Sequence, residues 1–239
     1  MNRPYIICHM VMSIDGKVTG DFLFDYGCKK ATEIYYDINR KLKADGFICG
    51  RITMEGSFTG GYYPELAEYG TIKSKEDFVP EELSGFYAVA FDPKGKLGWK
   101  SDKITDPDGD PGYDGAQIIE VLTEQADERY LGYLQTLKIP YIFAGKTVID
   151  VKLALEKLKN IIGCKTLLLE GGSIINGTFQ RADAIDELSL VVAPKIADKA
   201  DKPLFTDSTI SDFELVKAEN TDGNLILNYK RKSDREDLL

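Results

Sequence analysis

Histidine occurs once in the 239 residues, as His9. A two-histidine metal site, a helical H-E-x-x-H site or a three-histidine zinc site therefore cannot be assembled from one chain, and no metal ligands are expected. A Ser/His/Asp triad would have to use His9 itself. His9 alternates with apolar neighbours in YIICHMVM, a pattern that predicts a structural histidine beside a strand. Cysteine is nearly as sparse, with Cys8, Cys28, Cys49 and Cys164 and no C-x-x-C spacing, which predicts reduced, buried thiols. Positive charge is short as well: 30 Lys+Arg stand against 39 Asp+Glu, a net charge of −9 with no basic stripe. Nucleic acid and anionic membrane are therefore not expected partners. The longest apolar runs, 139–144 and 188–193, fall far short of the roughly 20 residues of a bilayer span. The opening MNRPYIICHMVMS has no long apolar core before Asp15, so no signal peptide is expected and the setting reads as cytoplasmic. An enzyme with so little nucleophile and metal chemistry would borrow a cofactor's reactivity.

What is present is an ordinary globular composition, 43% hydrophobic and 29% charged. A chain of this size buries about 70% of its unfolded surface. A single domain is expected over residues 1–231, with 232–239 as a flexible tail. Residues 5–12 read as a buried strand ending in the turn Ser13-Ile14-Asp15-Gly16. Helical spacing of Ala31, Ile34, Tyr35, Ile38 and Leu42 predicts a helix over 30–43, followed by a short strand over 47–49. Further strands are expected at 86–91, 117–122, 141–144 and 166–170, with helices near 127–137, 150–162 and 173–180. Strands at 187–193, 213–218 and 225–231 follow with almost nothing helical between them. This order predicts an α/β protein with a mainly parallel central sheet, helices on both faces and antiparallel C-terminal strands. The long loops 56–85 and 92–115 are read as lids or substrate walls.

Two junctions stand out as candidate phosphate sites. In LLLEGGSIINGTF, residues 167–179, a buried strand ends at Glu170 and two glycines let the chain turn into a helix start. Exposed amides at such a start suit a phosphate or pyrophosphate, with Ser173 and Asn176 as possible side-chain donors. The segment is not the G-x-G-x-x-G fingerprint, so the alternative of a plain tight turn stays open. In ICGRITMEGS, residues 48–57, Gly50 precedes Arg51 and Thr53, whose guanidinium and hydroxyl can grip a phosphate. Two such junctions in one sheet point to a dinucleotide lying across the strand ends. Asp15 reads on chemistry alone as a turn former. The acidic stretch DPDGDPG at 106–112 lacks the glycine and glutamate of an EF-hand loop and reads as a solvated loop.

Together M-S-I-D-G-K at 12–17, G-R-I-T at 50–53, the 167–179 block and A-D-A-I-D-E-L-S-L-V-V-A-P-K at 182–195 resemble a known family. It is the reductase (C-terminal) domain of riboflavin-biosynthesis proteins, a branch of the dihydrofolate-reductase-like fold. The resemblance implies an NADPH-dependent, homodimeric reductase of a ribosylaminopyrimidine phosphate, as in 5-amino-6-(5-phosphoribosylamino)uracil reduction. Alternatives are a dihydrofolate or pterin reductase and a non-catalytic NADP-binding module. Carried over by motif, Gly171, Gly172, Ser173, Ile174, Ile175, Asn176, Gly177 and Thr178 would hold the pyrophosphate. Gly50, Arg51, Thr53 and Ser57 would face the cofactor, Arg51 favouring the adenosine 2′-phosphate, and Val11 would meet it through its backbone. Glu170, Lys41 and, on this resemblance, Asp15 would contact substrate. No proton donor is assigned. Two departures are evident: GDFLFDYG at 20–27 replaces the family's S-x-W-I segment, and Ala197-Asp198-Lys199 replaces a D-G. The deaminase motif P-C-x-x-C does not occur.

Overall fold

The apolar run around His9 forms β1 (Tyr5–Ser13), buried along nearly its whole length. It belongs to one of two units into which the computed structural model, describing residues 2–83 and 85–232, divides. The terminal unit comprises Tyr5–Lys43 and Leu168–Leu239, and the central unit Met1–Pro4 and Ala44–Leu167. Of the tail expected at 232–239, all but Lys232 lies outside the described residues.

In the terminal unit β1 pairs in parallel with β7 (Glu187–Ala193), from Ile7 opposite Glu187 to Ser13 opposite Ala193. Beyond β7 come β9 (Asn224–Arg231) and β8 (Phe213–Thr221), both antiparallel, as the helix-free C-terminal stretch predicts. One apolar stripe of α1 (Lys29–Leu42) brings Ala31 and Ile34 onto Val11, Val191 and Ala193, with Cys28 in the same cluster. Phe22 and Leu23 of the 20–27 segment pack against it, while Phe24 and Tyr26 stand 89% and 90% exposed. Asp25 fixes this segment by accepting from Gly27 N at 2.7 Å and pairing with Lys195 at 2.7 Å. Helix α5 (Ser173–Arg181) lies so close to the 203–206 stretch that a methyl on Gly177 would collide with Thr206 O.

His9 is fully buried in this unit. Its ring stacks on Tyr35 with centroids 4.3 Å apart and planes within 2°. Nε2 lies 3.0 Å from the Tyr35 carbonyl, and Nδ1 lies 3.1 Å from the Ser189 carbonyl and 3.0 Å from Ser189 Oγ, so both ring nitrogens face a backbone acceptor. The histidine is a core group, as its alternation with apolar residues predicts.

The central unit holds β2 (Gly46–Gly50), β3 (Tyr87–Phe91), β4 (Gln117–Leu122) and β5 (Tyr141–Phe143), all parallel, in the order β5-β4-β3-β2. Their residues are almost wholly buried, the pattern of strands covered on both faces. Asp127 caps α3 (Glu128–Thr136) and Asp150 caps α4 (Val151–Lys157), each side chain accepting from amides of the first turn. The helix expected over 150–162 changes character at Leu158: it widens into a π-helical turn, Leu158–Ile162, and ends at Gly163 with φ 91°. Strand β6 (Thr166–Leu169) begins in this unit, where Asp45 Oδ2 accepts from Lys165 N and Thr166 N at 2.6 and 2.8 Å. The loop over 92–115 is no lid, because its Leu97, Trp99, Ile104 and Tyr113 are buried. No helix among the described residues is long and apolar enough to cross a membrane.

Glu120, on β4, is fully buried and accepts from Trp99 Nε1 and from Tyr130 OH at 3.3 Å. Burial, and then the nearby Asp92 carboxylate, hold its pKa well above the ordinary range. The folded protein therefore keeps a proton here that the unfolded chain releases above about pH 4.5, so this group's contribution declines as pH rises. Glu120→Gln, neutral at every pH, is expected to gain stability relative to the parent by more than about 1 kcal/mol between pH 5 and pH 8. Urea unfolding of both proteins at the two pH values measures the difference, and a constant offset would show that Glu120 is ionised in the fold.

Candidate functional site

In the terminal unit the chain leaves β6 at Glu170, enters the Gly171–Gly172 peptide, which is cis, and starts α5 at Ser173. Gly171 adopts φ 99°, a conformation open to glycine, and a Cβ there would stand 3.1 Å from Met10 Cε. Glu170 is 7% exposed and accepts from Asn39 Nδ2 at 2.7 Å, and its charge helps burial push the Cys8 thiol up. Asn39 was not among the residues singled out from the sequence. It is a buried amide on α1, and no local feature of the sequence marks it. Lys41 itself is exposed in the last turn of α1.

No side chain caps the start of α5, so its first amides are available to an anion. The expected side-chain donors are otherwise engaged. Ser173 Oγ donates to Pro203 O and lies 2.6 Å from Thr206 Oγ1, and Asn176 Nδ2 donates to Leu204 O at 3.2 Å. The reason is the close approach at Gly177, which brings the 203–206 stretch onto these side chains. Ile175 and Gly177 are buried, Thr178 Oγ1 turns back to Ile174 O at 2.9 Å, and Ile174 is exposed. What this block can offer a ligand is therefore backbone.

Val11 sits in the cluster under α1, opposite Val191 of β7. Asp15, at the turn after β1, accepts from Ser13 Oγ at 2.6 Å and Ala197 N at 3.0 Å, which hold its pKa below the usual carboxylate range. It braces the turn, as its chemistry alone suggests, and stays exposed and ionised.

In the central unit, Gly50 ends β2 and Arg51 opens the single turn α2 (Arg51–Met54). The Arg51 guanidinium meets Glu55 one turn on, Nη1 to Oε2 2.7 Å. Both line a cavity of about 620 Å³ with Tyr63, Asp92, Lys94 and Lys96. Thr53 and Ser57 are half-buried and exposed, respectively, and do not line it. Asp92, also missed from the sequence, is buried at the end of β3. Its Oδ2 accepts from Lys96 N and, at 2.7 Å, from Leu97 N, which ties the start of the loop back onto the strand end. Its Oδ1 has no hydrogen-bond partner among the described residues. Burial raises its pKa above the carboxylate norm, against the amides and Arg51. Lys96 Nζ lies 5.7 Å from the Tyr63 ring centre, and Lys94 adds a further cation to a lining in which Arg51 is paired with Glu55.

The fold is an α/β one, and residues 113–227 match the family described as the RibD C-terminal domain, bearing out the resemblance seen in the sequence. The 2,5-diamino-6-ribosylamino-4(3H)-pyrimidinone 5′-phosphate reductase of Aquifex aeolicus (strain VF5) is 26% identical over 210 residues, 85% of this chain and 82% of that one. Among solved structures, a pyrimidine reductase-like protein from Corynebacterium diphtheriae superposes with TM-score 0.65 at 18% identity, covering 98% and 94% of the two chains. Riboflavin biosynthesis reductase Rib7 of Saccharomyces cerevisiae gives 0.64 at 15% identity, covering 97% and 91%. Acinetobacter baumannii RibD, form 1, gives 0.64 at 15% identity, and this chain spans 59% of its length.

Proposed function

We propose that this chain is an NADPH-dependent reductase of a ribosylaminopyrimidine phosphate, an oxidoreductase of riboflavin biosynthesis. The observation that carries the reading is the junction after β6, where buried Glu170, held by Asn39, leads directly into an uncapped helix start. Each unit by itself offers a feature that suits a phosphate. The first amides of α5 lack a side-chain cap, and the cavity in the central unit is lined by Arg51, Lys94 and Lys96. In this reading Gly171 to Thr178 hold the pyrophosphate through backbone amides, and Val11 contributes its backbone. Gly50, Arg51, Thr53 and Ser57 serve the adenosine end, with Arg51 selecting NADPH over NADH. The bound nicotinamide supplies hydride. The protein's own part is orientation: Glu170 accepts from the polar edge of the heterocycle, Asp15 holds the turn beside it, and Lys41 takes its phosphate. A homodimer in the cytoplasm belongs to the same reading.

The test is loss of reduced-nicotinamide absorbance with the diaminopyrimidinone phosphate, its deaminated uracil counterpart and dihydrofolate. Consumption with one of the first two and none with dihydrofolate is expected, while tight NADPH binding without turnover on any would mark a non-catalytic module. Arg51→Gln is expected to raise the KM for NADPH about tenfold and leave that for NADH within twofold, the loss of one charge-assisted phosphate contact. Equal effects on the two cofactors would remove Arg51 from the 2′-phosphate.

A further inference from the structure

We propose that Glu55 is a specificity-determining residue that competes with the cofactor's 2′-phosphate for Arg51, an inference that rests on reading the cavity as the adenosine end of the NADPH site. Glu55 lies one turn beyond Arg51 on the same side of the chain, and its carboxylate contacts Nη1 at 2.7 Å while both side chains line the cavity. It is the one hydrogen-bond partner of the guanidinium among the described residues. Lys96 stands over Tyr63, and Asp92 is fixed by the loop amides, so neither can follow a ligand as freely as the half-exposed Glu55.

The consequence is electrostatic. A 2′-phosphate carries close to two negative charges and seeks the same guanidinium, whose Nη1 Glu55 already holds. Phosphate and carboxylate cannot both sit against Arg51 without like-charge repulsion, so Glu55 must swing toward solvent as the phosphate enters. A cofactor with a ribose hydroxyl at that place makes no such demand. Glu55 therefore lowers the affinity for ligands with a 2′-phosphate only, and keeps Arg51 paired when no such phosphate is there.

Isothermal titration calorimetry on the full chain tests this without turnover, using 2′,5′-ADP, 5′-AMP, NADPH and NADH as ligands. Glu55→Gln is expected to bind 2′,5′-ADP and NADPH about three- to tenfold more tightly than the parent, the range of a partly exposed ion pair plus relieved repulsion. Binding of 5′-AMP and NADH should stay within twofold. Glu55→Ala should behave likewise, since the gain comes from removing charge. Unchanged or weaker binding of 2′,5′-ADP and NADPH in both variants, with melting temperatures preserved, would overturn the proposal and make Glu55 a residue that positions Arg51. Arg51→Gln separates the two readings: if it leaves 2′,5′-ADP affinity unaltered, the assignment of the cavity to the 2′-phosphate falls, and the role of Glu55 with it. If Arg51→Gln weakens 2′,5′-ADP while Glu55→Gln does not tighten it, only the competition falls.

Discussion

Glu170→Ala is expected to lower kcat/KM for the pyrimidine substrate about 100-fold while NADPH binds within twofold of the parent. The carboxylate is 7% exposed at the end of β6, and the amide of Asn39 holds it at 2.7 Å. Hydrogen bonds to an ionised group are worth about 1.5–3 kcal/mol each, and a ring presenting two donors to one carboxylate would lose most of that on truncation. At 1.4 kcal/mol per decade this is a loss of about two orders of magnitude. Asn39→Leu should act more gently, about tenfold on kcat/KM, because it removes a group that positions Glu170 and not the acceptor itself. Steady-state kinetics with fluorescence titration of NADPH reads both effects. An unchanged kcat/KM in Glu170→Ala would remove the residue from the substrate. A parallel loss of NADPH affinity would move it to the cofactor.

These two residues show where the sequence stops being legible. The strands and helices follow from local patterns: the apolar run of β1 ends one residue beyond its expected limit, α1 is shifted by one residue, and α5 starts where expected and runs one residue longer. Glu170 is visible because it interrupts an apolar strand just before two glycines. Asn39 is not, since its role is defined by a partner 131 positions away, and a lone asparagine on a helix carries no local sign of that partner. Asp92 is hidden for the same reason: Asp-Pro-Lys-Gly reads as an ordinary turn, and only the fold brings its carboxyl into a cavity with Arg51. Ser173 and Asn176 err in the opposite direction. Their positions at a helix start suggest donors to a ligand, but the close approach of residues 203–206 at Gly177 turns both side chains inward. Periodicity reports which face of an element is covered, and it does not report which distant backbone covers it.

The second large effect concerns stability in acid. Burial outweighs the two backbone carbonyls facing the His9 ring and lowers its pKa from 6.5 to about 4. The unfolded chain takes up a proton on this ring as the pH falls through about 6.5, whereas the folded chain does not until about 4. Across that window the unfolded state binds more protons, so stability falls as the pH falls and levels off once both states are charged. At 1.36 kcal/mol per unit the shift amounts to about 3 kcal/mol, a large share of the stability of an ordinary domain. His9→Gln, which has no proton to gain, should be less stable than the parent at pH 7.5 through lost stacking on Tyr35. That gap should then narrow by about 3 kcal/mol by pH 4, since the carboxylates titrating over the same range are common to both proteins. Urea unfolding at several pH values measures the narrowing. Because the chain has one histidine, its imidazole proton resonances need no assignment, and they should titrate near pH 4 in the folded protein. A midpoint near 6.5, or a gap that does not change with pH, would mean that the ring is solvated and that the strand around it is not packed as the structure has it.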